Sequence, residues 1–500
     1  MKRIQAFYTL MLAVLLLQAA SSCYKDKGNY NYSAINRLTI RMDTIASGAT
    51  ITVNQADTLR LNPVITQTLG KDESKFTYEW MIFDNAPTSV YNTPQFVVST
   101  SHNLQTVIAE PNFTLGQSYR MTYKVTDTTT GTITFFAFNI AVSNRFAKGW
   151  MFLEDLPNGG DFSMLLPGGT VVHNVFAQTN PGVNMGAGVP VRLDISVMDV
   201  NDAITSGSKK IYIHHPGNAI ELNYQTLKKK FDIANVFFNP PPVMKPQGLI
   251  WFSPTVQPNT ATLGVMVNND KVYVAEIGGF PGAKKFGGAL MTAAANNDYT
   301  ATPWIVNGLS FPIIYDSRNR RFHIVRPTKL DNFPDTVSTV ISLNNLGMDL
   351  VNIDESNVPR AYNAILKDNA GVRQLLRITF SPSSYVLTSF IQPMTAPSID
   401  NATAIASTTG SPHIFYGVGN LLYRYETTSN TSTQPFAFPA GETILKIKCQ
   451  AGTEMVIATW DGATGRVYRF GITATGAISN NTYSAVYNGF GRIIDIGYKN

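Results

Sequence analysis

Cysteine is almost absent. Cys23 and Cys449 are the only two in 500 residues, which excludes a disulfide-stapled scaffold and a Cys-rich metal module. Histidine is nearly as scarce, with six. His102, His173, His323 and His413 have no Cys or carboxylate at ligand spacing, and the adjacent His214 and His215 point to opposite faces of any strand. No metal and no cofactor is therefore expected. Charged residues make up only 14% of the chain. The single basic run, at 228–230, reads as a solvated face, so nucleic acid is not an expected partner. Calcium loops of the Asp-x-Asp-x-Asp-Gly type, Gly-rich phosphate loops and a Gly-x-Ser-x-Gly elbow are also missing.

What is present begins at the N-terminus. Lys2 and Arg3 precede an apolar stretch from Ala6 to Leu17, then Ala19, Ala20, Ser21 and Ser22 lead to Cys23. The stretch falls short of the roughly 20 apolar residues a membrane span needs. A basic region, an apolar region and small residues read instead as a cleaved signal peptide over 1–22. The Cys after Ala-Ser-Ser resembles a relaxed bacterial lipobox, with Ala20 where Leu is commoner. It marks Cys23 as the lipid attachment residue. Cys449, in the alternating run "ETILKIKCQ", is then left as an inert buried thiol. Residues 23–34 form a polar tether.

From 35 to 144, runs such as "ATITVNQADTLRLNPVIT", "KFTYEWMIF" and "SYRMTYKVTDTTTG" alternate with period two between turn residues. That pattern predicts an antiparallel β-sandwich of Ig-like type, with Trp80 buried between the sheets and "DTTTG" turning a hairpin. The strand ending Val125-Thr126-Asp127 resembles the polycystic-kidney-disease (PKD) type of Ig-like domain.

Over 145–500 the pattern becomes a repeat. The segments 264–277, 312–325, 413–426 and 455–470 each read strand, Asn/Asp/Gly turn, strand with an aromatic, and 150–166, 210–223 and 364–380 are weaker versions. One position in each second strand, Phe162, Ile220, Tyr273, Phe322, Leu376, Tyr423 and Tyr468, recurs 45 to 58 residues apart. Units of that size hold a four-stranded blade. The fold class expected is thus all-β, a sandwich followed by a seven-bladed β-propeller. The final "GFGRIIDIGYKN" repeats the strand "GETILKIKCQ" with no hairpin after it, so it is expected to complete the first blade.

No catalytic constellation stands out. Asp316, Glu276, Asp461 and Asp495 are scattered over turns and strands and read as turn formers and strand ends. Among the tryptophans, Trp251, Trp304 and Trp460 stand beside turn or Pro-containing punctuation and are the candidate ligand-binding residues, although burial between blades is the alternative for each.

The lipobox, "CYKDKGNYNY", the PKD-like sandwich and the closing "DIGYK" together resemble the PKD-like lipoprotein family of Bacteroidota. The resemblance implies a surface- or periplasm-facing accessory in polymer capture, beside a nutrient-import transporter complex. The acid between two lysines in "YKDK" after Cys23 favours the cell surface. The role expected is that of a lipid-anchored outer-membrane protein that binds polysaccharide or another extracellular ligand without catalysis. A propeller-type polysaccharide hydrolase or lyase would need two carboxylates meeting a His, Tyr or Arg. A protein-interaction scaffold or adhesin would show a large apolar face.

Overall fold

The computed structural model describes residues 2–21 and 35–500, apart from 43, 56, 71, 85–94, 110, 158, 201–207, 253–261, 278–284, 310, 335–340 and 382–384. Lys2–Ser21, free of Pro and Gly, is a helix. Among the described residues no helix is long and apolar enough to cross a membrane. Cys23 and the tether lie outside the described residues. The chain divides after Ser143 into two compact units.

In the first unit, a sheet of five strands runs in the order Thr50–Asn54, Ile133–Ser143, Ser118–Asp127, Phe76–Asp84, Gln95–Ser99. Two two-stranded sheets, Leu38–Met42 with Pro63–Gln67 and Thr58–Leu61 with Leu104–Val107, complete it. Alternation along Ile133–Ser143 sends Phe136, Phe138, Ile140 and Val142 into one core with Leu38, Ile40, Ile82, Met121 and Val125. Trp80 is fully buried there, as expected, stacked on Tyr123 at 4.2 Å and donating its indole N–H to the Ser101 carbonyl. The predicted hairpin is also present. Asp127 accepts the N–H groups of Thr129 and Thr130 and a hydrogen bond from Asn36, which holds its carboxyl below the usual range. Gly131, at φ +71°, donates back to the Asp127 carbonyl.

In the second unit the described residues form seven sheets. The leading strands of the second to seventh are Arg192–Val200, Pro246–Phe252, Ala301–Asn307, Asp349–Glu355, Ala404–Ser407 and Thr443–Gln450. Each is followed by the strand-turn-strand pair that the repeat predicts, for example Glu454–Trp460 with Gly465–Gly471. In the first sheet the hairpin Gly149–Leu156 and Gly159–Leu165 is flanked by the C-terminal strand Arg492–Lys499, antiparallel to Gly149–Leu156. The closing repeat thus lies where the sequence predicts.

The sheets are not uniform. The third shows three strands and the fourth five, because Met291–Thr292 pairs in parallel with Lys329–Asp331 of the fourth sheet. The expectation of four strands in every repeat fails at this point. Neighbouring sheets pack through apolar faces: Val306 and Tyr315 of the fourth share a core with Leu366 and Leu376 of the fifth. Trp150 and Phe152 of the first pack with Val456 and Val467 of the seventh. The second unit is all-β and propeller-like.

Candidate functional site

The leading strands bring together charged residues that are far apart in sequence. Asp194 Oδ1 accepts from Arg192 Nε at 2.7 Å, and its Oδ2 accepts the Leu249 N–H of the next leading strand at 2.9 Å. His214 Nε2 lies 2.9 Å from the same Oδ2. One junction back, Asp495 Oδ2 accepts the Leu193 N–H at 2.9 Å, and its Oδ1 accepts the Ile496 N–H at 2.9 Å. Asp354 repeats the arrangement, taking the Ser407 N–H at 3.1 Å and Asn352 Nδ2 at 2.8 Å. At three junctions, then, a carboxylate from one leading strand accepts the backbone N–H of the next.

This cluster contains two carboxylates, a His and an Arg, the set a hydrolase would need, yet its electrostatics suit a strut. Burial opposes the charge on Asp194, but Arg192 and His214 outweigh it and hold the carboxyl well below the ordinary range. Burial likewise opposes the charge on Arg192, while Asp194 and Asp495 raise its pKa. A carboxylate ionised at every working pH, with both oxygens engaged, has no proton to donate as a general acid. Asp194 was not singled out from the sequence. The signal was there: "RLDI" at 192–195 and "RIIDI" at 492–496 place Arg and Asp alike in two leading strands.

Of the scattered carboxylates, Asp316 and Asp461 behave as turn formers. Asp316 accepts the N–H groups of Thr300, Arg318 and Asn319; burial opposes its charge, but His323 and these donors bring its pKa down to about 2. Asp461 caps its turn through Ala463 and Thr464. Glu276 is exposed. Among the described residues, no group of three or more His, Cys, Asp or Glu is arranged to hold a metal ion.

Among the described residues the three candidate tryptophans make no ring contact with one another. Trp251 is buried, donates its indole N–H to Tyr212 Oη at 2.7 Å and covers Gly264, where a Cβ would come within 2.9 Å of the ring. Trp304 is half-buried on the leading strand of the fourth sheet, against the core it shares with the fifth. Trp460 is half-buried at the end of Glu454–Trp460, opposite Thr443 and Gly465. Among the described residues neither Trp304 nor Trp460 has a hydrogen-bond partner for its indole N–H. Trp150 is buried, and it donates to Glu454, which also holds Arg469.

A model of the PKD-like family matches residues 23–188. Over those residues, about a third of its length, the chain is similar to the PKD-like family. The match begins at Cys23 and extends past the sandwich into the first sheet of the second unit. No curated protein matches the sequence. Among solved structures, the chain is similar to a quinoprotein alcohol dehydrogenase-like protein from Bacteroides thetaiotaomicron, at 11% identity and TM-score 0.37 over 90% of this chain and 97% of that one. It is also similar to the extracellular domain of a protein described as a one component system from B. thetaiotaomicron, at 13% identity and TM-score 0.34 over 63% of this chain and 39% of that one. A third is PorZ, a surface component of the type-IX secretion system of Porphyromonas gingivalis, at 10% identity and TM-score 0.34 over 74% of this chain and 44% of that one.

Proposed function

We propose that this PKD-like protein is anchored to the outer membrane by lipid on Cys23, on the cell-surface side, and binds an extracellular polysaccharide without turning it over. In this reading the sandwich is a spacer and the seven sheets are a closed seven-bladed propeller that serves as the recognition platform, beside an outer-membrane transporter complex. The observation that carries the non-enzymatic part is the state of the junction carboxylates. Asp194 and Asp495 hold neighbouring backbone N–H groups, whereas Trp304 and Trp460 keep partly open indoles with unengaged N–H groups, the amphipathic surface on which a sugar ring stacks.

The test is binding of the chain from Tyr24 onward to a panel of polysaccharides, with reducing ends measured in the same tubes. Binding without new reducing ends is expected, weakened by Trp304→Ala or Trp460→Ala. Release of product would replace this reading with the hydrolase or lyase one, and failure to bind any polysaccharide would favour the scaffold. For the anchor, labelled palmitate should enter the native chain and not Cys23→Ser.

A further inference from the structure

A second buried cluster lies on the two inner strands of the first sheet, Gly149–Leu156 and Gly159–Leu165. Glu154, on Gly149–Leu156, is buried, and its Oε2 accepts the Gly491 N–H at 2.6 Å. Its Oε1 accepts the hydroxyl of Ser163, which is itself fully buried. Ser163 Oγ is in turn 2.9 Å from His173 Nδ1. The imidazole is half-buried and packs edge-on against Phe490 at 5.0 Å. Its Nε2 has no hydrogen-bond partner among the described residues, and Gly489 stands beside it, where a Cβ would be 3.5 Å away.

The proton inventory of this chain is restrictive. A serine hydroxyl has one proton. While Glu154 is ionised that proton goes to the carboxylate, so His173 Nδ1–H must be the donor to Ser163 Oγ and Nε2 carries a bare lone pair. If Glu154 is neutral the chain reverses: the carboxyl O–H donates to Ser163, Ser163 donates to Nδ1, and Nε2 carries the proton. The second state holds one proton more than the first. That proton enters at Nε2, the Nδ1 proton moves to Ser163 and the Ser163 proton moves to Glu154. No group is left charged at the end.

Gly491 gives the cluster a mechanical connection. It is the single residue between Ala485–Phe490, the outermost strand of the seventh sheet, and Arg492–Lys499, the strand that completes the first. A Cβ at 491 would lie 2.4 Å from Leu156 Cδ2 and 2.8 Å from the Asp155 carbonyl oxygen, so the crossover has no slack.

We propose that His173, Ser163 and Glu154 form a proton relay that couples a solvent-facing imidazole to the hydrogen bond holding the Gly491 crossover, making this junction pH-sensitive. Proton uptake at His173 neutralises Glu154 and replaces a charge-assisted hydrogen bond to Gly491 with a weaker neutral one. Burial already pushes the Glu154 carboxyl up to about 7, against the Ser163 and Gly491 hydrogen bonds, and burial also lowers the His173 imidazole. The other charged groups on the surrounding elements are few. Asp161, opposite Glu154 in register, caps Val175–Thr179 through the Phe176 and Ala177 N–H groups and adds to the upward push on Glu154. Asp155 and Arg492 face each other across the two strands, and Arg492 is exposed. Arg466 of the seventh sheet is held by Glu442 and Asp461, and Arg469 by Glu454. Val175–Thr179 carries no charge.

The experiment is nitrogen NMR of the full chain, labelled only at histidine, titrated from pH 5 to 9 with His173→Gln to assign the signal. The relay predicts that His173 passes from a bare Nε2 at high pH to an Nε2–H, Nδ1-acceptor imidazole at low pH, without becoming imidazolium. Ser163→Ala, which cuts the chain, should restore ordinary imidazolium formation. In parallel, the exchange protection factor of the Gly491 amide should fall by severalfold as pH drops through the same transition, and should be flat in Glu154→Gln. An imidazolium in the native chain, or a Gly491 protection that ignores the titration, would overturn the proposal.

Discussion

Single residues carry disproportionate weight where burial and polarity meet. Trp80 fills the sandwich core, and no disulfide ties the sheets of that unit, so apolar packing alone closes it. Trp80→Ala should cost about 3–5 kcal/mol in denaturant unfolding of the first unit. Lys499 shows the opposite tendency. It is buried, donates to the Ala147 carbonyl and lies over the Tyr224 ring at 4.3 Å; burial and Lys209 push its amine down from 10.5 to about 7. Between those values the unfolded chain holds a proton that the folded chain does not, so stability rises with pH from about 7 to 10.5. Lys499→Met should remove that rise, as unfolding in urea at pH 7 and pH 9 would reveal. Glu154 has the reverse sign. Its raised carboxyl makes the folded chain the better proton binder between 4.5 and about 7, so its contribution to stability is lost as pH rises through that window. Cys449 is half-buried, not buried as its alternating run suggests, yet desolvation, with Asp354 adding to it, pushes its thiol up to about 12. Thiol reagents should leave it unmodified at pH 8 while the chain is folded.

At the scale of elements, the decisive pieces are the leading strands and what ties each to the next. Asp194→Ala would leave the Leu249 N–H and the Arg192 guanidinium without their acceptor in a buried site. The expected cost is about 3–5 kcal/mol, the range found when one partner of a buried pair is removed. Asp194→Asn, which keeps an acceptor oxygen for Leu249, should cost less. Thermal unfolding of the two variants would rank them, and equal losses would count against the strut reading. The C-terminal strand is the second such piece. Deleting residues from 489 onward exposes the edge of Gly149–Leu156 and opens the core of Trp150, Phe152, Ile493 and Ile496. The second unit should then lose its cooperative melt in calorimetry, and an unchanged transition would refute closure by this strand.

Across the whole molecule, most of the architecture was legible because β-structure writes itself into sequence with period two. The sandwich core, Trp80 within it, the "DTTTG" hairpin, the seven strand-turn-strand pairs and the C-terminal strand all follow from alternation and turn residues. Legibility stopped where a contact depends on which distant strand becomes a neighbour. The five-stranded fourth sheet was invisible because Met291–Thr292 is two residues long and joins a later unit. Asp495 looked like a strand-end carboxylate because its partner, Leu193, is 302 positions away. Trp251 and Trp304 looked alike beside their prolines, yet Tyr212, Phe286 and Gly264 enclose the first and leave the second half-open.

By itself, then, the sequence determined the class of fold, the order of its two parts and the near-absence of metal-ligating residues, since these depend on composition and on local period. Only the tertiary structure decided that Asp194, Asp495 and Asp354 tie strand to strand and that Glu154 meets Ser163, His173 and Gly491. Hydrogen bonds act over about 3 Å, and only folding brings residues hundreds of positions apart within that reach.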